Sequence, residues 1–290
     1  MRRLFGGKYR EEIMERKELY HLIDLQPEII DRMQSVGEKT NLRTVDVYLE
    51  QMMNRETAKS AYRELDVLLT EDTDHFEMLY CQLECARRIF DRYQAKGISK
   101  DIYIDTMKCF VRFLEECKRK NGRMFFDRGW WTYRQISMSL FRIGDLEYEF
   151  EEYKGERVIA VHIPSNAEFS REAVECSLEA AGDFFRKYYP DYVYDKYTCE
   201  SWLMSPVLPQ LLSEKSNIMS FQKRFAITEV DQEEKEYIEW LFQVPADTAY
   251  ANLPEETTLQ RRVKALLLEG GNVGSAYGVM EAPKLFKAAT

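Results

Sequence analysis

Arg157-Val158-Ile159-Ala160-Val161-His162-Ile163-Pro164-Ser165-Asn166 and, beyond an intervening helical pattern, Tyr197-Thr198-Cys199-Glu200-Ser201-Trp202-Leu203 are the two runs whose reading decides the fold. The first is apolar, rich in β-branched residues and bounded by turn formers, as a buried strand is. The second alternates Tyr197, Cys199, Ser201 and Leu203 against Thr198, Glu200, Trp202 and Met204. Between them Ser170 reads as an N-cap with Glu172 in the first turn. Val174, Leu178, Ala181, Phe184 and Phe185 then recur at helical spacing until Pro190 ends the pattern. If the two strands run parallel, this is a βαβ unit. Such a unit aims its helix N-terminus, with free N–H groups, at the end of the sheet where ligands bind.

Upstream of this unit, Trp130, Trp131, Tyr133, Ile136, Met138, Leu140, Phe141 and Ile143 are dense in aromatic and branched residues. After the turn at Gly144-Asp145, Leu146, Tyr148 and Phe150 alternate with Glu147, Glu149 and Glu151, the pattern of a half-exposed strand. Lys154-Gly155-Glu156 turns the chain into the Arg157–Ile163 run, so the expectation is a three-stranded antiparallel meander. Further upstream the pattern is helical almost throughout: residues 8–24, a helix from Pro27 to near Gly37, Thr44–Leu69, His75–Ala95 closed by Gly97, and Ile102–Lys120 closed by Asn121-Gly122. Downstream, Pro206–Lys223 is a helix interrupted near Ser213–Asn217, and Arg224–Val230 is a strand. Glu233–Phe242 and Thr257–Leu268 are helices, and the glycine-rich Gly270–Gly278 stretch reads as a flexible terminus rather than a phosphate cradle. The fold class is therefore α+β: an all-helical domain over residues 1–128, then a mixed β-sheet domain with flanking helices over residues 129–290.

The chain has 290 residues and a net charge of −9, which disfavours a general nucleic-acid binder. The six cysteines include no CxxC pair, and the three histidines, His21, His75 and His162, make a multi-histidine metal centre improbable. No metal is expected. The first residues lack the apolar core of a signal peptide, and no apolar run reaches the roughly 20 residues of a membrane span. The expectation is a cytosolic protein with reduced thiols and no membrane partner.

The order of elements from Trp130, β-β-β-α-β-α-β, is similar to the central and C-terminal run of the GNAT acyltransferase fold. The segments Val161-His162-Ile163-Pro164-Ser165, Cys199-Glu200-Ser201-Trp202-Leu203-Met204-Ser205-Pro206 and Ser216–Phe225 resemble a bacterial family of GNAT-like N-acyltransferases with an added helical N-terminal domain. The resemblance implies acyl-CoA, acetyl or longer, as co-substrate, held between the Arg157–Ile163 and Tyr197–Leu203 strands. It also implies a small-molecule or peptide amine as acceptor. The sequence departs from ordinary GNAT enzymes in two places. The loop that cradles the CoA pyrophosphate is Pro164-Ser165-Asn166-Ala167-Glu168-Phe169-Ser170, without glycine, and the position of the general-acid tyrosine is Phe221.

On this frame His162 and Glu200 are the candidate general bases, set against a structural histidine and a solvated glutamate. Ser165, Asn166, Ser170 and Arg171 are the candidates to replace the missing glycine-loop contacts. Ser201 and Trp202 lie where splayed strands would offer backbone groups to the pantetheine arm, and Asn217 stands at the helix interruption, with helix N-capping as its plain alternative. Cys199 reads as a buried inert thiol. The rival to an acyltransferase is a non-catalytic binding or regulatory protein that keeps the fold.

Overall fold

The computed structural model describes residues 14–282. The first part is helical: α1 (Arg16–Leu22), α2 (Pro27–Gly37), α3 (Leu42–Met52), α4 (Ala58–Leu68), α5 (Phe76–Lys96), α6 (Lys100–Met107), α7 (Cys109–Asn121) and α8 (Gly129–Ile136). Helix α5 is the axis of this region, buried on nearly every side. Its start is fixed by one carboxylate, since Asp72 accepts from the N–H groups of Phe76, Glu77 and Met78 at 2.9, 2.7 and 3.0 Å. It ends at Gly97 in the left-handed conformation (φ 71°). On its flank Glu84, only 3% exposed, binds Arg16, Arg87 and Arg88 at 2.8–2.9 Å. Of the 8–24 stretch, residues 16–22 form α1 and residues 8–13 lie outside the described part.

Two expected long helices are each broken in two. The 44–69 stretch parts at Asn54, whose side chain accepts from the Glu56 N–H (3.1 Å) and so competes with the helical ladder. The break carries Arg55 into the sheet domain, where it donates to the Met138 carbonyl (2.8 Å) and lies over the Phe150 ring. The 102–120 stretch parts at Lys108. Beside that break Thr106 accepts the Arg142 N–H (3.0 Å), so a helix side chain serves the edge of the sheet.

The aromatic run from Trp130 is also helical at first. Gly129, Thr132, Tyr133 and Ile136 fall on one helical face and are buried, and only Leu140–Ile143 is strand β1. The expected meander is present: β1, β2 (Leu146–Tyr153) and β3 (Glu156–His162) are antiparallel neighbours. The β2–β3 turn has Lys154 and Gly155 at positive φ (53° and 81°), as a tight hairpin turn requires. Helix α9 (Arg171–Tyr188) then leads to β4 (Lys196–Ser201), which pairs parallel to β3, so the βαβ unit stands. A single 3₁₀ turn, Trp202–Met204, replaces the expected end of that strand. Short helices α10 (Leu208–Leu211) and α11 (Asn217–Gln222), strand β5 (Ala226–Asp231) and helices α12 (Tyr237–Phe242) and α13 (Thr258–Leu268) follow.

The glycine-rich stretch is not a loose end. Ser275–Glu281 is strand β6, inserted between β4 and β5, and the sheet order is β1-β2-β3-β4-β6-β5. Gly278 is required by packing: a Cβ there would stand 2.9 Å from the Phe225 Cβ and 3.1 Å from the Met204 sulfur. One face of the sheet packs on α9, with Tyr148 and Phe150 meeting Phe185. By register the opposite face carries Glu147, Glu149 and Glu151 of β2, Ala160 and His162 of β3, Thr198 and Glu200 of β4 and Tyr277 of β6. The helical region lies against this face, so its glutamates are not simply solvated: Glu147 meets Arg112 at 2.8 Å and is buried.

Candidate active site

Strands β3 and β4 are laddered at only two positions, Ile159 with Tyr197 and Ala160 with Thr198. Beyond them β3 runs on to His162 and β4 to Ser201, while β4 stays zipped to β6 as far as Ser201 opposite Ala276. The two parallel strands therefore part like a V at their C-terminal ends. The facing backbone groups inside the V have no strand partner, and buried backbone groups without partners mark a place built for something else to bind.

The Pro164–Ser170 loop leaves the mouth of this V and enters α9. Its side chains are committed elsewhere. Ser165 donates to Glu116 of α7, a buried carboxylate whose pKa burial pushes up. Asn166 accepts from Arg142 (3.0 Å), and Ser170 caps α9 by accepting from the Ala173 N–H (3.2 Å). The free donors of the loop are on the backbone: the N–H groups of Phe169, Ser170, Arg171 and Glu172 have no acceptor among the described residues. They open an 18-residue helix, whose dipole favours an anion there. Arg171 and Arg224 converge on one carboxylate beside them, Glu175, at 3.3 and 2.8 Å. Phe169 packs on Phe221 of α11 at 4.9 Å between ring centroids, which closes the distance between α9 and α11.

On the glutamate face, His162 sits at the end of β3 and its Nε2 lies 2.9 Å from Glu149. The same carboxylate accepts from Arg134 Nε (2.9 Å), and the imidazole stands edge-on to Trp131 at 5.0 Å. Burial pushes Glu149 up, but its bonds to His162 and Arg134 outweigh that and hold it below the ordinary carboxylate value. A carboxylate that fixes one imidazole nitrogen leaves the other, Nδ1, to act on a proton. Two residues along β2, Glu151 accepts from Thr198 (3.1 Å) and Tyr277 (3.3 Å). Burial pushes the Tyr277 phenol up, so it remains a protonated donor at neutral pH.

The other sequence candidates fall around this centre. Glu200 is exposed, opposite Tyr277 in register. Ser201 accepts from the Leu203 N–H (3.1 Å) and caps the 3₁₀ turn that holds Trp202, which packs on Tyr237 of α12 at 6.5 Å. Asn217 is exposed at the first position of α11, and the cap there is Ser216. Cys199 is buried, its thiol pushed up to about 12 by burial. Glu149, Glu151, Trp131 and Tyr277 line this candidate site and escaped the sequence reading. For the two glutamates the signal was present, as the polar half of the β2 alternation, but alternation does not say what covers a face.

A mixed sheet whose central parallel strands part beside a helix N-terminus, after an antiparallel meander, defines the GNAT-like class of acyltransferase folds. Residues 14–138 match the N-acyltransferase N-terminal domain, and residues 140–280 match the GNAT-like C-terminal domain. The chain belongs to this family of GNAT-like N-acyltransferases. No curated protein matches it. Among solved structures it is similar to an acyltransferase in complex with decanoyl-CoA and teicoplanin, at 18% identity and a TM-score of 0.69, with 93% of this chain and 100% of the other covered. Structures of an acyltransferase with decanoyl-CoA, and with CoA and 10C-teicoplanin, match at the same identity and coverage with TM-scores of 0.68. No helix among the described residues is long and apolar enough to cross a membrane.

Proposed function

We propose that this protein transfers an acyl group from acyl-CoA to an amine, with the thioester lying in the V between β3 and β4. The observation that carries the reading is the two-pair ladder at Ile159–Ala160 and Tyr197–Thr198, after which the strands diverge beside the free N–H groups of α9. Those N–H groups, with Arg171 and Arg224, take the place of a glycine-rich loop as the pyrophosphate site. The amine nitrogen attacks the thioester carbonyl carbon, and unpaired backbone N–H groups in the V stabilise the oxyanion. The carbon–sulfur bond then breaks, the acyl group stays on nitrogen, and CoA leaves as the thiolate, which takes up the proton that the amine gives up. His162, oriented by Glu149, takes the proton from the attacking amine. Two of the similar structures hold decanoyl-CoA, which makes medium-chain acyl-CoA the first substrate to try.

The Phe169–Phe221 contact and the Arg224–Glu175 pair favour a second reading, in which the groove between α9 and α11 stays shut and the protein binds without catalysis. Thermal unfolding with CoA, acetyl-CoA, octanoyl-CoA and decanoyl-CoA separates the two. A ligand at about 100 times its Kd stabilises by roughly 2.7 kcal/mol. A shift with an acyl-CoA supports transfer, and no shift with any of them at millimolar concentration supports the closed groove.

A further inference from the structure

Three glutamates of β2 share the face opposite α9, and they are treated differently. Glu147 faces Arg112 and Glu149 faces Arg134 and His162. Glu151 has no cationic side chain within ion-pair distance among the described residues. Its Oε2 is held instead by two hydroxyls, from Thr198 and Tyr277, each on a different strand. Thr198 is the last residue of β4 laddered to β3, so this carboxylate stands at the apex of the V. It is oriented but not neutralised.

The surroundings point to what would neutralise it. The Tyr277 ring stacks on Tyr153 at 4.3 Å with 19° between planes, which makes an aromatic wall on one side of Glu151. Farther along the same face, beyond Glu149, stand His162 and Trp131, and Trp131 leads to Trp130 (5.7 Å). Arg128 lies over Trp130 and Trp240 in turn, at 5.7 and 4.9 Å. An oriented carboxylate beside an aromatic wall suits an alkylammonium, which gains a charge-assisted hydrogen bond from the first and ring-quadrupole attraction from the second. The distance sets the form of the ligand. By register His162 stands opposite Glu147, four residues from Glu151 on one strand face, or about 13 Å at roughly 3.3 Å per residue, and a hydrogen bond of about 3 Å at each end leaves about 7 Å. A short diamine spans that gap, with its reacting nitrogen at His162 and its second nitrogen at Glu151.

We propose that Glu151, oriented by Thr198 and Tyr277, is the acceptor-specificity residue, and that the acceptor is a diamine whose second, charged nitrogen binds it. This rests on the acyltransferase reading for the identity of the reacting end. The test is equilibrium binding, by calorimetry on the full chain, of 1,4-diaminobutane, 1-aminobutane and 4-aminobutanoate, with decanoyl-CoA titrated separately. The diamine is expected to bind about tenfold or more tightly than the monoamine, and the amino acid more weakly than either. Glu151→Gln brings the diamine-to-monoamine ratio to within about twofold, and Tyr277→Phe, which keeps the ring stack, lowers it in part. If Glu151→Gln proves unstable, Thr198→Val tests the same orientation with a side chain of similar shape. Equal affinity for diamine and monoamine overturns the proposal, as does a ratio that survives Glu151→Gln. Diamine preference without decanoyl-CoA binding leaves the cation site standing and removes the acyltransferase reading.

Discussion

Replacing Glu149 with glutamine separates a positioned imidazole from one that is merely packed. The side chain keeps its shape, and one carbonyl oxygen still accepts from either Arg134 or His162, each now 2.9 Å from the carboxylate. The other partner then faces an amide N–H₂ and loses its acceptor. A hydrogen bond to a charged group contributes about 1.5–3 kcal/mol, and both partners are partly solvated, so the expected loss of stability is about 1–2 kcal/mol. In a chain of this size that lowers Tm by roughly 2–6 °C. The depressed pKa of Glu149 fixes the sign with pH. A carboxylate held below its unfolded value stabilises the fold above that value and loses the contribution as pH falls through the folded one. The stability difference between wild type and Glu149→Gln is therefore largest at neutral pH and shrinks in acid. For catalysis, an imidazole that has lost its orienting carboxylate loses about 10- to 100-fold in rate, roughly 1.4–2.7 kcal/mol of barrier. The assay follows CoA thiol released from decanoyl-CoA with an alkyl diamine as acceptor. His162→Ala is expected to cost at least as much, and the double variant no more than His162→Ala alone, because the two residues act as a unit. An unchanged kcat in Glu149→Gln refutes the pair as the proton-accepting device, and additive losses show that each residue acts separately.

Three further outcomes follow from the same geometry. Glu175 competes with phosphate for Arg171 and Arg224, so Glu175→Gln is expected to tighten CoA binding about three- to tenfold and Arg224→Ala to weaken it, both effects fading with salt in a titration. Burial raises the Glu84 pKa, but bonds to Arg87, Arg88 and Arg16 outweigh it and bring it down to about 2. This is worth about 3 kcal/mol at neutral pH, lost as pH falls from about 5 toward 2, and chemical denaturation of Glu84→Gln measures it. Gly278→Ala forces a methyl against Phe225 and Met204, and the expected overpacking cost is about 1–3 kcal/mol by thermal unfolding; a variant as stable as wild type would show that β6 yields without strain.

The helical first half, the meander, the N-cap at Ser170 and the βαβ step were legible because each is written in local chemistry. Apolar period, turn residues and capping side chains act over a few positions, and the chain states them directly. Continuous apolar periodicity concealed the breaks at Asn54 and Lys108, since a helix can pause without losing its stripe. The glycines of the last strand misled for a related reason: glycine signals both freedom and close approach, and only Phe225 and Met204 packed against Gly278 decide between them. His162 stood out from the sequence because histidines are few and this one closes an apolar strand, whereas its partner did not. Glu149 and Glu151 are separated from their partners on β3, β4 and β6 by turns, a helix and most of the C-terminal half of the chain. Which of three equivalent glutamates meets an arginine, an imidazole or a pair of hydroxyls depends on strand register and on the helical layer laid over the sheet. Those are long-range choices set by packing, so they belong to the tertiary structure alone, as does the insertion of β6 between β4 and β5, while the sequence by itself determined the helical first part, the meander and the strand–helix–strand step that follows it.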